Sequence, residues 1–181
     1  MSDEFQVTKR TQAATVSSHT TVLTWGSELI DRKVTDARAN HRGRECHLFH
    51  GSREDPSQRM LNALQPGTYI RPHRHHPPAG SESLVVLRGA VGVVVFEDDG
   101  TVRDEALAVL GPRRVTLGID LRAGVWHTVA ALETDTVFFE AKAGPYDPAA
   151  TDFAPWAPAE GSPEAAEYLD RLVARFRHRV S

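Results

Sequence analysis

A chain of 181 residues, 40% hydrophobic and 25% charged, is long enough for one globular domain with a substantial core. Its net charge of −3 removes the electrostatic case for general nucleic-acid binding, and its lone cysteine, Cys46, excludes an intrachain disulfide and suits a reducing compartment. Met1 to Thr21 is polar with no apolar run behind its charges, and no window approaches the roughly 20 apolar residues of a membrane helix. The sequence therefore predicts a cytoplasmic protein with neither nucleic acid nor membrane as a partner.

Residues 1–20, rich in Ser, Thr, Gln and charge, read as a flexible leader or at most an edge strand. A short helix is expected from Trp25 to Ala37, with Ser27 as N-cap and Glu28 in its first turn. The basic stretch Arg38 to Arg44 follows, then a short strand over Cys46–His50. Beyond it the pattern turns to β: Ser57–Leu64, Thr68–His75, Ser83–Leu87, Val91–Phe96, Val115–Ile119, His127–Ala131 and Asp135–Ala141. Asp98-Asp99-Gly100 is a hairpin signal returning through Val102. Many short strands at close spacing argue for an antiparallel sandwich or barrel, an all-β class, over βαβ units. Near the end, Phe153 and Trp156 are expected to fold back on the barrel. Ser162-Pro163 then opens a helix whose apolar stripe is Leu169, Leu172, Val173, Phe176 and Val180, with Arg171, Arg175, Arg177 and Arg179 at its end.

The chemistry concentrates in Gly67-Thr-Tyr-Ile-Arg-Pro-His73-Arg-His75, followed by Glu82 and Gly89. Residues i and i+2 of a strand share a face, so His73 and His75 can reach one point. Glu82 offers a hard oxygen, and His127, three residues beyond Gly124, is placed to add a third imidazole. Such a donor set suits one divalent transition metal per chain; Fe, Mn, Ni, Co and Zn all remain compatible. His76, the next residue after His75, should point to the opposite face and is left out. Against this stands the reading of residues 71–76 as a polar loop that picks up metal adventitiously.

This pattern of glycines bracketing His-x-His and Glu resembles the first signature of the cupin superfamily. Ala123-Gly124-Val-Trp-His127 is similar to the second, although Arg122 and Ala131 replace its usual proline and asparagine. The His75–Glu82 gap is longer than usual. Arg38-Ala-Asn40-His41, Gln58-Arg59-Met60, Tyr69-Ile-Arg71-Pro-His73-Arg-His75, Gly144-Pro-Tyr146 and Phe153-Ala-Pro-Trp156-Ala-Pro158-Ala-Glu160 are further similar to the WbuC-type cupin-fold metalloproteins. That group is often associated with polysaccharide biosynthesis clusters of bacteria. The resemblance implies a double-stranded β-helix (jelly roll) over residues 21–160, often a homodimer, with an added amphipathic helix over 161–181. It also places a metal inside the barrel mouth.

Strand parity would turn Tyr69 and Arg71 into the barrel with the histidines. Arg71 would then pair with an internal carboxylate such as Glu140 or hold an anionic ligand. Arg38, Asn40 and His41 either line the mouth and bind substrate or simply solvate the surface. Glu140, amid apolar residues, is a candidate general base, and Tyr69 and Tyr146 are candidate acids or packing residues. Three functions stay open: a metal-dependent enzyme on a small anionic ligand (isomerase, epimerase or Fe-dependent dioxygenase), a non-catalytic metal- and ligand-binding sensor, and a structural metal cupin.

Overall fold

Period-two alternation builds almost everything seen in the computed structural model, which describes residues 7–10, 14–17, 19, 21–76 and 80–177. The strands are β1 (Val7–Arg10), β2 (Ala14–Ser17), β3 (Arg44–Leu48), β4 (Ser57–Leu64), β5 (His73–His75) and β6 (Glu82–Arg88). They continue as β7 (Val91–Phe96), β8 (Ala108–Leu110), β9 (Gly118–Leu121), β10 (Trp126–Ala131), β11 (Thr136–Ala143) and β12 (Thr151–Phe153). Helices α1 (Ser27–Ala39) and α2 (Glu164–Ala174) flank them.

Two sheets face each other as a jelly roll, one ordered β1-β2-β3-β4-β11-β6-β9 and the other β12-β5-β10-β7-β8. Their inner faces interdigitate through Leu64, Leu84, Val86, Leu121 and Phe138 on one side and Val91, Val93, Val95, Leu110 and Val129 on the other. Burying each such side chain contributes about 1.5–3 kcal/mol. The outer faces are covered as well. Leu29, Val34 and Ala37 of α1 lie on Leu61, Ala63 and Val137, while Leu172 and Phe176 lie on Val94, Phe96 and Trp126. Strand β7 is thus buried on both faces, and Gly92 is required there: a Cβ would stand 2.7 Å from the Phe176 ring.

The all-β expectation with two flanking helices holds, and several details differ. The leader contributes two strands: β1 pairs with β2, and β2 runs parallel to β3. Its polarity has a reason other than solvation, because in buried His47 Nδ1 lies 2.7 Å from Thr15 Oγ1 and Nε2 lies 2.7 Å from Ser17 Oγ. Helix α1 is preceded by Gly26 at the N-cap, and Ser27 is its first helical residue with no capping bond. Helix α2 starts at Glu164, with Pro163 at the capping position. Val180 and Arg179 lie outside the described residues, as do parts of the leader and residues 77–79. Strand β5 is also shorter than Thr68–His75, which matters for the site.

Candidate metal centre and cavity

Short β5 is held between β10 and β12, with His127 opposite His73 and Thr151 opposite His75. This pairing brings His73, His75 and His127 together, one ring nitrogen of each lying within 4.8 Å of the other two. Each ring is fixed from behind. His73 Nδ1 is 3.0 Å from Arg71 O, His127 Nδ1 is 2.9 Å from Val125 O, and His75 Nδ1 is 3.0 Å from Thr151 Oγ1. A carbonyl only accepts, so Nδ1 of His73 and of His127 carries the proton and Nε2 is left to bind. Glu82, buried on β6 of the facing sheet, reaches across with Oε1 2.6 Å from His127 Nε2 and Oε2 3.5 Å from His75 Nε2.

The electrostatics separate the members of this group. Burial, reinforced by the neighbouring imidazoles, lowers His73 to about 3, so it stands as a neutral ligand. Burial also opposes charge on His127 and Glu82, but their mutual contact prevails, raising His127 and lowering Glu82. Three imidazoles tied at Nδ1 with one carboxylate between them fit a divalent first-row ion.

The group lines one end of a cavity of about 380 Å³. The opposite wall comes from the large sheet: Asn62 on β4, and Glu140 and Lys142 on β11, where Lys142 is the register partner of Glu82. Asn62 Nδ2 donates to Glu140 Oε2 at 2.8 Å, and Lys142 Nζ lies 3.6 Å from Glu140 Oε1. Burial, then the Glu82 charge, raises the Glu140 pKa against the pull of Lys142. Cys46 also lines the cavity, where burial first and the nearby Glu140 and Glu45 charges second push its thiol far up and favour the protonated form. Asn40, Arg42, Arg44, Tyr146, Phe153 and Glu160 complete the lining.

Four residues expected to serve the site lie elsewhere. Arg71 is outside the cavity lining and donates to Ala154 O from Nε at 3.2 Å and Nη2 at 2.6 Å, with Phe153 stacked near it. Strand parity does not hold here because residues 68–72 are not strand: Ile70 faces the cavity, and Pro72 breaks the alternation before His73. Tyr69 turns out for the same reason, donating to Pro158 O at 2.8 Å and meeting Tyr168 edge-on. Burial raises its phenol further, which unfits it as an acid. Arg38 is exposed at the end of α1 and bonded to Asp135, 2.8 Å from Nε to Oδ1. His41 is exposed and outside the lining, leaving Asn40 as the member of that trio at the cavity. His76 points away as expected, its Nε2 2.6 Å from Asp152 Oδ2.

Sequence reasoning missed Asn62, Lys142, Arg44 and Glu160. Lys142 was within reach, since it shares the face of Glu140 two residues on; Glu160 stood in the stretch that carries the family resemblance, but nothing in the sequence tied it to Arg44, 116 residues away.

A family described as a domain of unknown function (DUF6016) matches residues 26–108. No curated protein matches in sequence. Among solved structures, the capsular polysaccharide assembling protein CapF from Staphylococcus aureus is similar at 20% identity and TM-score 0.50, over 60% of this chain and 31% of that one. Protein SO0799 from Shewanella oneidensis is similar at 11% identity and TM-score 0.49, over 60% and 72%. Oxalate decarboxylase from Bacillus subtilis is similar at 18% identity and TM-score 0.44, over 54% and 24%. The chain thus spans about a quarter of the decarboxylase and under a third of CapF. No helix among the described residues is long and apolar enough to cross a membrane. The two-sheet topology and the likeness to CapF establish that the chain has the cupin fold.

Proposed function

We propose that this chain is a divalent-metal cupin of the WbuC type that binds, and acts on, a small carboxylate- or sugar-derived anion. One observation carries the reading: three imidazoles with fixed Nδ1 atoms and one buried carboxylate converge at the end of a 380 Å³ cavity whose other wall bears further polar groups. A purely structural ion has no need of such a cavity. His73, His75, His127 and Glu82 would hold the ion, which supplies Lewis acidity to a ligand oxygen.

Across the cavity, Glu140 takes the acid–base role. Held toward its neutral form by burial, it can present a proton to a ligand oxygen and take it back. Asn62 keeps the carboxyl oriented through Oε2, and Lys142 stabilises the carboxylate left behind. Substrate binding passes from Arg71 and Arg38 to Arg44 and Lys142, cations that line the cavity. The fold relates this chain to proteins of several activities, so chemistry is argued from the site alone.

Elemental analysis of untagged protein tests the reading. The expected result is close to one equivalent of a first-row metal per chain, lost in His73→Ala and Glu82→Ala. A metal-free wild type that also fails to take up added Mn²⁺, Co²⁺ or Zn²⁺ would overturn it.

A further inference from the structure

At the mouth of the cavity, Arg42 and Arg44 grip one carboxylate together. Arg44 Nη2 lies 3.1 and 2.9 Å from Glu160 Oε1 and Oε2, and Arg42 Nη2 lies 3.0 Å from Oε2. Arg44 is oriented independently of that contact, because its Nη1 donates to Tyr69 O at 3.1 Å. Glu160 arrives from the segment between β12 and α2, which is pinned to the barrel elsewhere by Ala154 N to Pro72 O and by the Tyr69 hydroxyl. The other carboxylates of the lining are engaged deeper in: Glu82 with the imidazoles, Glu140 with Asn62 and Lys142, and Glu45 with Lys33 and Asn40.

We propose that Arg42 and Arg44 form a carboxylate subsite of the metal cavity, filled here by Glu160 as an internal occupant, and that the ligand is a small dicarboxylate whose second carboxylate displaces it. The proposal rests on the metal-cupin reading for the ligand's first end. Arg44 Nη2 shared between both oxygens, with Arg42 Nη2 added on Oε2, brings two guanidinium charges onto one carboxylate through charge-assisted hydrogen bonds. The three side chains are 44%, 21% and 36% exposed, and ion pairs in water hold weakly, so an occupant that gains bonds at the cavity floor outcompetes Glu160. The C-terminal segment then acts as a competitor for the subsite as well as part of its wall.

Calorimetric titration of the metal-loaded full chain with succinate and glutarate tests this, with acetate and inorganic phosphate as separate arms. Glu160→Gln removes the competitor's charge and should tighten dicarboxylate binding roughly three- to tenfold, whereas Arg44→Gln should weaken it about tenfold or more. Acetate, which has no second end, should respond far less to either change. A strap contact that is only structural predicts the opposite sign, so unchanged or weaker dicarboxylate binding in Glu160→Gln overturns the proposal even where Arg44→Gln fails to fold. A gain confined to phosphate overturns the carboxylate assignment. Metal content read on the same samples separates the two readings: metal bound with no Glu160→Gln effect defeats the subsite alone, and the effect persisting without metal defeats the metal reading alone.

Discussion

Replacing Thr151 with valine should weaken metal binding without unfolding the barrel. Two of the three atoms that fix the imidazoles from behind, Arg71 O and Val125 O, are main-chain and survive any substitution. Thr151 Oγ1, 3.0 Å from His75 Nδ1, is the one that a side-chain change can remove, and valine keeps its shape. With an ion on Nε2, His75 Nδ1 carries the proton and donates it to that hydroxyl; without it the donor loses its partner and the ring is less firmly aimed. Part of the lost hydrogen bond, about 1 kcal/mol, is absent with and without metal and cancels from the affinity. The remainder is the loss of a partner for the metal-bound ring's Nδ1–H and of its orientation, which for such outer partners amounts to about 10–100-fold, or ~1.4–2.8 kcal/mol. Competition with a chromophoric chelator for Co²⁺ or Zn²⁺ measures it, beside His75→Ala as the upper limit. An affinity within about twofold of wild type, while His75→Ala loses metal, would refute the claim that this hydroxyl sets the imidazole.

Three further outcomes follow from the packing and the charges. Phe176→Ala, removing a ring that is 1% exposed over Gly92 and Phe96, should destabilise the fold by about 3–5 kcal/mol in urea unfolding; a change under about 1 kcal/mol would show that the turn closing α2 is not integral to the barrel. His47, buried and beside the Lys33 ammonium, is lowered to about 4 from 6.5, so below pH 6.5 the unfolded state binds the extra proton and stability falls with pH until the folded pKa is passed. The loss between pH 7 and pH 4 from this group is on the order of 3 kcal/mol, and His47→Gln should flatten that part of the profile; an unaltered slope contradicts it. Glu140 has the opposite sign: its raised pKa means the folded state holds the proton longer, so the group costs stability as pH rises above its unfolded value. Glu140→Gln, whose amide oxygen still accepts from Asn62, should therefore raise the melting temperature of metal-free protein at pH 8, and a lower one would count against a buried neutral carboxyl there.

What could be read from the chain alone follows the range of the interactions. His73 and His75 were legible because i and i+2 share a face within a strand, and Glu82 and His127 because their spacing from glycines matched a known arrangement. Alternation failed one residue beyond the strand: Pro72 has no N–H to give the ladder, the backbone leaves it, and Arg71 and Tyr69 turn out instead of in. Arg38 shows a different limit, since its partner Asp135 is 97 residues away and nothing in a basic loop announces it. Composition reads the polar leader as flexible or at most an edge strand, and gives no sign that its hydroxyls satisfy a buried imidazole. Strand β12, three residues long, carries Thr151 to the site through pairing with β5 and has no pattern of its own to read.

The most direct test of the account is X-ray absorption on the chain loaded with one equivalent of Co²⁺ or Zn²⁺. Convergence of His73, His75, His127 and Glu82 predicts multiple-scattering features of three imidazoles plus oxygen, dropping to two in His127→Ala. A bound ion with fewer than three imidazoles in the wild type, or one indifferent to loss of His127, would contradict it.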